Sequence, residues 1–264
     1  MKVALIQMDV AAGQPEQNFE HAAELMEKAA TEKPDLIILP EMWNTGYDWA
    51  KADKIADVDG AKTRQLLSSM ARKNGVTIVG GSVLYRDSQT GQTFNTMFVM
   101  NDQGEEIVRY DKVHLFRLME EDKYLSAGNS IQTFDMQGTT VGVMICYDLR
   151  FPQLARKLVY MGANVLINVA QWPTPRVAHW QTLLRARAVE NQVFIIGVNR
   201  VGESLGTPFP GSSMVIDPFG EALLTGDEKE RIYVVDLDLV RVEHIRQIIP
   251  VFQDERLDLY QLNP

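Results

Sequence analysis

Short apolar runs alternate with amphipathic segments along most of the chain, and this pattern predicts a mixed α/β fold. The segment 17–31 places Phe19, Leu25 and Met26 on one helical face. Three further helices are predicted at 60–74, 151–161 and 176–191. Runs rich in β-branched residues predict ten strands, at 2–8, 35–39, 76–81, 94–100, 106–111, 139–145, 163–169, 193–199, 213–216 and 231–237.

Strands and helices are mixed throughout the chain, which favours one layered domain over two separate halves. No linker rich in Ser, Gly or Pro, no repeat and no low-complexity tract interrupts the sequence. We therefore predict a single domain over residues 1–264. The tail from about residue 250 is short and mixed in character, so we expect it either to pack on a partner subunit or to fray.

Composition and charge narrow the class of protein. Hydrophobic residues make up 45% of the chain and charged residues 23%, as in ordinary globular proteins. The formal net charge is −9 and no basic stretch is present, which argues against nucleic acid and anionic membranes as partners. No apolar window approaches the roughly 18–20 residues of a membrane span, and the N-terminus lacks the pattern of a signal peptide.

The chain has one cysteine, Cys146. A lone cysteine forms no internal disulfide, so we expect a reducing compartment and a cytoplasmic protein.

Three residues with catalytic potential each follow the carboxyl end of a predicted strand: Glu41, Lys112 and Cys146. Ligands of α/β sheets gather beyond such strand ends. Each residue alone has an ordinary alternative, namely a solvated loop acid, a surface lysine and an inert buried cysteine. Their shared placement favours one site, in which an acid serves as general base and a lysine stabilises negative charge on oxygen.

The position of Cys146 between a strand and a helix predicts a nucleophile elbow. In such a turn the side chain is presented to substrate, and the next backbone N–H, that of Tyr147, stabilises an oxyanion. We also expect the nearby helix N-terminus to lower the pKa of the thiol.

Three segments together resemble the nitrilase superfamily of carbon–nitrogen hydrolases: LPE at 39–41, YDKVHLF at 110–116 and ICYDLRFP at 145–152. The resemblance extends from the first strand to about Asp236 and implies a catalytic triad of Glu41, Lys112 and Cys146. It also implies a four-layer αββα sandwich and pairing of subunits into a homodimer or higher homo-oligomer. Neither a metal nor an organic cofactor is implied, and no residue spacing in the chain is typical of a metal site or of a nucleotide-binding loop.

A second glutamate often lies in the active site of this family, before an E-x-x-x-x-x-x-G stretch. Here Glu121 opens that stretch and Gly128 closes it, although the neighbouring Glu120 is an alternative. Many relatives have a longer segment before this glutamate, which leaves the contribution of the short loop 117–127 to specificity open.

Four residues are candidates for binding substrate: Tyr147, Arg150, Trp172 and Arg176. An arginine can hold a carboxylate through two hydrogen bonds, although bracing or solvated roles are alternatives for Arg150 and Arg176.

The segments ICYDLRFP, NVAQWP and ARAVENQVFIIGVNR resemble most the omega-amidase branch of the family. This likeness implies hydrolysis of a small amide, such as the 2-oxo acid monoamide 2-oxoglutaramate, to an acid and ammonia. Alternatives are an N-carbamoyl amino acid or nitrile hydrolase with the same triad and a non-catalytic binding protein that retains the fold. A fourth hypothesis is a Cys–His glutaminase that uses His114 or His179.

Overall fold

The computed structural model describes residues 1–259. Their strands, in chain order, are β1 (Lys2–Gln7), β2 (Leu36–Ile38), β3 (Asp57–Val58), β4 (Thr77–Val79), β5 (Val83–Arg86), β6 (Thr93–Met100), β7 (Glu106–Asp111), β8 (Thr133–Met136), β9 (Thr139–Ile145), β10 (Ala163–Ala170), β11 (Phe194–Asn199), β12 (Val201–Ser204), β13 (Thr207–Pro210), β14 (Met214–Ile216), β15 (Ala222–Thr225) and β16 (Arg231–Asp236).

The α-helices of the same residues are α1 (Pro15–Ala30), α2 (Ala52–Ile55), α3 (Ala61–Asn74), α4 (Glu121–Tyr124), α5 (Pro152–Tyr160), α6 (Val177–Asn191), α7 (Val240–Ile248) and α8 (Val251–Asp254). Short 3-10 helices are formed by Trp49–Lys51, Arg117–Met119, Cys146–Arg150 and Thr174–Arg176. Within this part of the chain, no helix has the length and apolar character needed to cross a membrane.

The strands form two large sheets. The first has the order β16-β1-β2-β4-β6-β5-β3, with β7 also paired to β6, and the second has the order β15-β14-β11-β10-β9-β8. In the first sheet β1, β2 and β4 are parallel, and in the second β9, β10 and β11 are parallel. Because parallel strands end at the same edge, each sheet has one edge at which strand carboxyl ends collect.

Alternation along β1 shows how the layers are built. Val3 and Leu5 belong to the apolar cluster that includes the strands of the second sheet, whereas Ala4 and Ile6 pack in the cluster that contains residues of α1 and α3. On the far side of the second sheet, α5 packs on β9 and β10, and α6 packs on β11 and β14. The result is the four-layer αββα sandwich that was expected.

The structure contains strands and helices that the hydrophobic pattern did not predict. The additional strands are β3, β5, β8, β12, β13 and β15, all with four residues or fewer. Such short strands carry too few residues for a periodic signal. The predicted strand 76–81 ends early at Val79, and α7 with α8 follows the last strand where no helix was predicted.

Part of the predicted tail packs on its own chain. The ring of Phe252 lies 6.3 Å from that of Tyr160, and Glu255 accepts a hydrogen bond from the Tyr160 hydroxyl at 2.7 Å. Residues 260–264 lie outside the described residues. A role of this tail at a subunit interface therefore stays a prediction.

The short segment between β4 and β5 forms hydrogen bonds with the turn that follows β2. Gly81 has a φ of +60°, and a Cβ at this position would lie 2.0 Å from the carbonyl oxygen of Pro40. The next residue, Ser82, donates its N–H to that oxygen at 3.1 Å and accepts the N–H of Met42 on its Oγ at 3.0 Å. Only glycine allows this approach of two backbones, and Glu41 lies between the two anchored residues.

We predict that Gly81→Ala destabilises the fold by more than about 1 kcal/mol, because alanine is strained at this positive φ and its Cβ would collide with the carbonyl oxygen of Pro40. Gly75→Ala is the matched control, since Gly75 has the same φ of +60° with no atom within 4 Å of the added Cβ. Urea denaturation of both variants measures the difference. Equal losses of unfolding free energy would show that the contact with Pro40 is unimportant.

Candidate active site

The structure brings Glu41, Lys112, Glu121 and Cys146 to one buried place between the sheets. Lys112 directly follows β7, Cys146 directly follows β9, and Glu41 lies three residues beyond β2. The three charged residues are at most 1% exposed and Cys146 is 6% exposed. Buried charges are found almost only where they are paired, so these residues form one electrostatic unit.

Lys112 is the centre of this unit. Its Nζ donates to Oε1 of Glu41 at 2.9 Å and to Oε1 of Glu121 at 2.7 Å. Burial by itself lowers the pKa of Lys112, but the charges of Glu121 and Glu41 outweigh it and raise the pKa well above its usual value. Lys112 is therefore a permanent cation in the site.

Glu41 is held by donors on every side. Besides Lys112, Asn95 donates its Nδ2 to Oε1 at 2.8 Å, and the backbone N–H of Gln171 donates to Oε2 at 2.7 Å. These contacts fix the orientation of the Glu41 carboxylate.

Glu121, not Glu120, is the second glutamate of the buried unit. Its Oε2 accepts the N–H of Phe116 at 2.8 Å, and burial raises its pKa although Lys112 acts against this. Glu120 is exposed and pairs with Lys123. At the other end of the motif, Gly128 donates its N–H to the carbonyl of Lys112 at 2.9 Å. A Cβ on Gly128 would lie 2.0 Å from a backbone oxygen, which explains the glycine in that stretch.

Cys146 lies in the strained turn that an elbow requires. Its φ of +48° is unusual for a residue other than glycine. The expected lowering of the thiol pKa is wrong: burial and the negative charge of Glu41 raise it well above its usual value, against the effect of Lys112. A 3-10 turn follows Cys146, and the regular helix begins only at Pro152. The helix N-terminus is therefore not adjacent to the thiol, and burial dominates the thiol pKa.

Asp148 connects the elbow to the segment that carries Lys112, a role that the pattern of the chain did not suggest. Its Oδ2 accepts the Tyr110 hydroxyl at 2.7 Å and the N–H of Ile145 at 2.9 Å. Its Oδ1 accepts the N–H of His114 at 3.1 Å and lies 2.8 Å from Nδ1 of the same residue. One fully buried carboxylate thus ties β7 to the end of β9.

The two histidines of the Cys–His hypothesis have other partners. The ring of His114 contacts Asp148 and stacks on Phe151 with centroids 3.6 Å apart. Nδ1 of His179 lies 3.4 Å from Nη2 of Arg150. Within residues 1–259, neither histidine is hydrogen-bonded to Cys146, whereas the Glu41 carboxylate lies beside the thiol.

A small pocket opens from Cys146. Its lining includes all four predicted substrate residues, and the set is Phe116, Met119, Cys146, Tyr147, Arg150, Gln171, Trp172, Pro173 and Arg176. Met119 belongs to the 3-10 turn of the loop 117–127, so this short loop does border the pocket.

Both arginines of the pocket are held by aromatic rings. The guanidinium carbon of Arg150 lies 4.7 Å from the ring centroid of Trp172, and that of Arg176 lies 5.4 Å from that of Phe116. No ion pair joins either arginine to a carboxylate in the described part of the chain. The two guanidinium groups of the pocket are therefore not neutralised by a carboxylate of residues 1–259.

Sequence reasoning missed Asn95 and Gln171 as well as Asp148. Gln171 directly follows β10, as Cys146 follows β9, so its position at the end of a buried strand is the signal that marks it. Asn95 lies within β6, where nothing in the pattern distinguishes it. Among residues 1–259 no group of three His, Cys, Asp or Glu side chains is placed to hold a metal ion, and independence from cofactors stays a prediction.

The model of the carbon–nitrogen hydrolase family matches residues 2–247. The chain belongs to the carbon–nitrogen hydrolase family. It is 42% identical over 258 residues to the 2-oxoglutaramate amidase of Bacillus subtilis (strain 168), covering 98% of each chain. It is 33% identical over 268 residues to the omega-amidase NIT2 of Homo sapiens, covering 98% of this chain and 96% of the relative.

The comparison of structures agrees with this membership. Nit3 of Saccharomyces cerevisiae, a member of branch 10 of the nitrilase superfamily, superposes with a TM-score of 0.90. The two chains are 32% identical, and the match covers 97% of this chain and 96% of that one. The predicted family and its αββα fold are thereby confirmed.

We predict that Lys112→Met lowers the unfolding free energy by about 3–5 kcal/mol, because it leaves two carboxylates buried without a cation. The loss is larger at pH 7.5 than at pH 5.0: without Lys112 the folded-state pKa of Glu121 lies further above its unfolded value, so stability is lost as pH rises. Denaturant titrations at both pH values measure this. Adding Glu121→Gln recovers part of the loss.

The exposed Lys123→Met is the control for this experiment, and its effect is expected to stay within about 0.5 kcal/mol. A Lys112→Met protein as stable as that control at pH 7.5 would rule out the buried charge unit.

Proposed function

We propose that the protein is an omega-amidase that hydrolyses 2-oxo acid monoamides such as 2-oxoglutaramate through a cysteine thioester. The observation that carries this proposal is the placement of the Cys146 thiol beside Glu41 and Lys112, at the base of a pocket edged by two arginines without acidic partners. The names of the relatives, a 2-oxoglutaramate amidase and omega-amidases, support the substrate class.

The first half of the proposed reaction forms the thioester. The raised pKa keeps the resting thiol protonated, so attack on the amide carbon requires a base. Glu41 takes the thiol proton as the carbon–sulfur bond forms. The Lys112 ammonium and the backbone N–H of Tyr147 stabilise the tetrahedral oxyanion. Glu41 then gives the proton to the departing nitrogen, the carbon–nitrogen bond breaks, and ammonia leaves.

The second half returns the thiol. Glu41 removes a proton from water as the water oxygen attacks the thioester carbon. It then gives this proton to the departing sulfur as the carbon–sulfur bond breaks, which yields the carboxylic acid and the Cys146 thiol. Glu121 holds Lys112 in place for both oxyanions through its hydrogen bond to Nζ. Each step uses groups of this chain and water.

The substrate end opposite the amide is the part that the arginines would bind. A 2-oxo acid monoamide carries one carboxylate, and Arg176 or Arg150 can bind it through two hydrogen bonds. The aromatic walls formed by Phe116, Tyr147 and Trp172 suit the short carbon chain between the two ends.

We further propose that residues 1–264 act as one domain, in the cytoplasm and as a homodimer or higher homo-oligomer. A reducing compartment would preserve the lone thiol. The outer layer carries exposed apolar side chains, among them Met161 directly after α5 and Val189 of α6, at 40% and 50% exposure. Such side chains suit a self-complementary interface that includes the C-terminal tail.

The proposed activity is tested by ammonia release from 2-oxoglutaramate, glutamine, an N-carbamoyl amino acid and a simple nitrile. We expect release from the oxo-acid amide, and we expect Cys146→Ala to lose it by at least about a thousand-fold, as for a missing nucleophile. Carbon dioxide released with ammonia from the carbamoyl compound would identify a ureide hydrolase instead. No turnover of any compound would favour a binding protein.

The arginine role predicts a change in substrate affinity. We expect Arg176→Gln to raise KM for 2-oxoglutaramate about 10- to 100-fold with little change in kcat, because a charge-assisted hydrogen bond of roughly 1.5–3 kcal/mol is lost. Steady-state kinetics with a neutral amide of similar length provide the control, since its KM should not change. Equal losses for both amides would mean that Arg176 shapes the pocket and does not bind the carboxylate.

A further inference from the structure

Three parallel strands of the second sheet end next to one another and each is followed by a buried polar residue. Cys146 follows β9, Gln171 follows β10, and Arg200 follows β11. Gln171 is 1% exposed and Arg200 is fully buried. Only Cys146 has a role in the reaction proposed above, although the other two come from segments singled out for their resemblance to omega-amidases.

Gln171 holds the turn of Glu41 from both sides. Its side-chain Nε2 donates to the carbonyl oxygens of Glu41 at 2.9 Å and of Met42 at 3.2 Å. Its backbone N–H donates to Oε2 of the Glu41 carboxylate. One residue of the second sheet therefore fixes both the main chain and the carboxylate of a residue that the first sheet carries.

Arg200 in turn holds Gln171. Its Nη1 donates to Oε1 of Gln171 at 3.4 Å, while Nη2 donates to Asp9 at 2.7 Å and to the carbonyl of Val10 at 2.9 Å. Burial lowers the pKa of Arg200 to about 10, against the effect of Asp9, so it stays a cation at neutral pH. Asp9 and Val10 follow β1 in the first sheet, so Arg200 also bridges the two sheets.

We propose that Gln171 and Arg200 are positioning residues that set the orientation of Glu41 toward Cys146 and so govern the proton transfers of the reaction. The inference rests on the proposed amidase function. Gln171 borders the pocket, but both hydrogens of its side-chain amide and its amide oxygen are engaged within the protein. A primary amide suits this place because it offers two donors to the carbonyls and one acceptor to Arg200.

The decisive variant is Gln171→Glu. The glutamate side chain has the same shape as glutamine and still offers an acceptor to Arg200, but it replaces the donor Nε2 with an oxygen that faces the carbonyl oxygens of Glu41 and Met42. We expect kcat to fall about 10- to 100-fold, the effect of displacing a reacting group by roughly 1 Å, while KM changes less than twofold. Arg200→Lys, which keeps the charge beside Asp9, should lower kcat less and in the same way.

Gln192→Glu is the matched control. Gln192 is 2% exposed, and its Nε2 donates to the carbonyl of Ile249 at 2.8 Å, remote from the four residues of the site. We expect the kcat of this variant to stay within twofold of wild type. Crystal structures of wild type and Gln171→Glu add a measurement that needs no substrate, and Oε2 of Glu41 should have left the backbone N–H of residue 171.

A Gln171→Glu protein with wild-type kcat, or with its loss confined to KM, would overturn the inference, as would an unmoved Glu41. If wild type hydrolyses no amide of the panel, the proposed function fails separately. The crystal structures then decide the positioning role alone, since a displaced Glu41 supports it and an unmoved one contradicts it.

Discussion

The burial of Lys112 between two carboxylates is the constraint on which the rest of the site depends. An unpaired charge in this interior would cost several kcal/mol, so each of Glu41, Lys112 and Glu121 requires the others. They reach the site from β2, β7 and α4, which are far apart along the chain. The fold must therefore bring these elements together in one arrangement, and the glycines at 81 and 128 permit the close backbone approaches that this arrangement needs.

The same constraint decides the chemistry of the thiol. Burial and the charge of Glu41 raise the pKa of the Cys146 thiol, whereas a helix N-terminus alone would lower it. The sequence neighbours of a cysteine do not show how deeply it is buried. The expected lowering of the thiol pKa was wrong for this reason, since burial is the largest cause of its rise. In the proposed reaction a protonated thiol requires a neighbouring base, and Gln171, at the end of a strand of the second sheet, holds both the main chain and the carboxylate of Glu41.

Much of the layered fold followed from periodicity, because β1, β2 and β9 to β11 are long or strongly apolar. The strand-end rule singled out Glu41, Lys112 and Cys146, and Glu121 was suggested by the resemblance to the family, in which such a glutamate precedes a glycine at the spacing of Gly128. Short edge strands such as β8 and β15 were not predicted, because four residues are too few to show a hydrophobic period. The sequence pattern did not identify Asp148, Asn95 and Gln171, because their hydrogen-bond partners lie 34 to 130 residues away along the chain. Contacts at such separations leave no local signal in the sequence.

The solitary buried thiol also bears on durability. Peroxides attack the thiolate, so the burial and the raised pKa of the Cys146 thiol both work against its oxidation. A sulfenic acid formed there would find no second cysteine in the chain to resolve it as an internal disulfide. Reduction of such a sulfenic acid through a disulfide would require a thiol from another molecule.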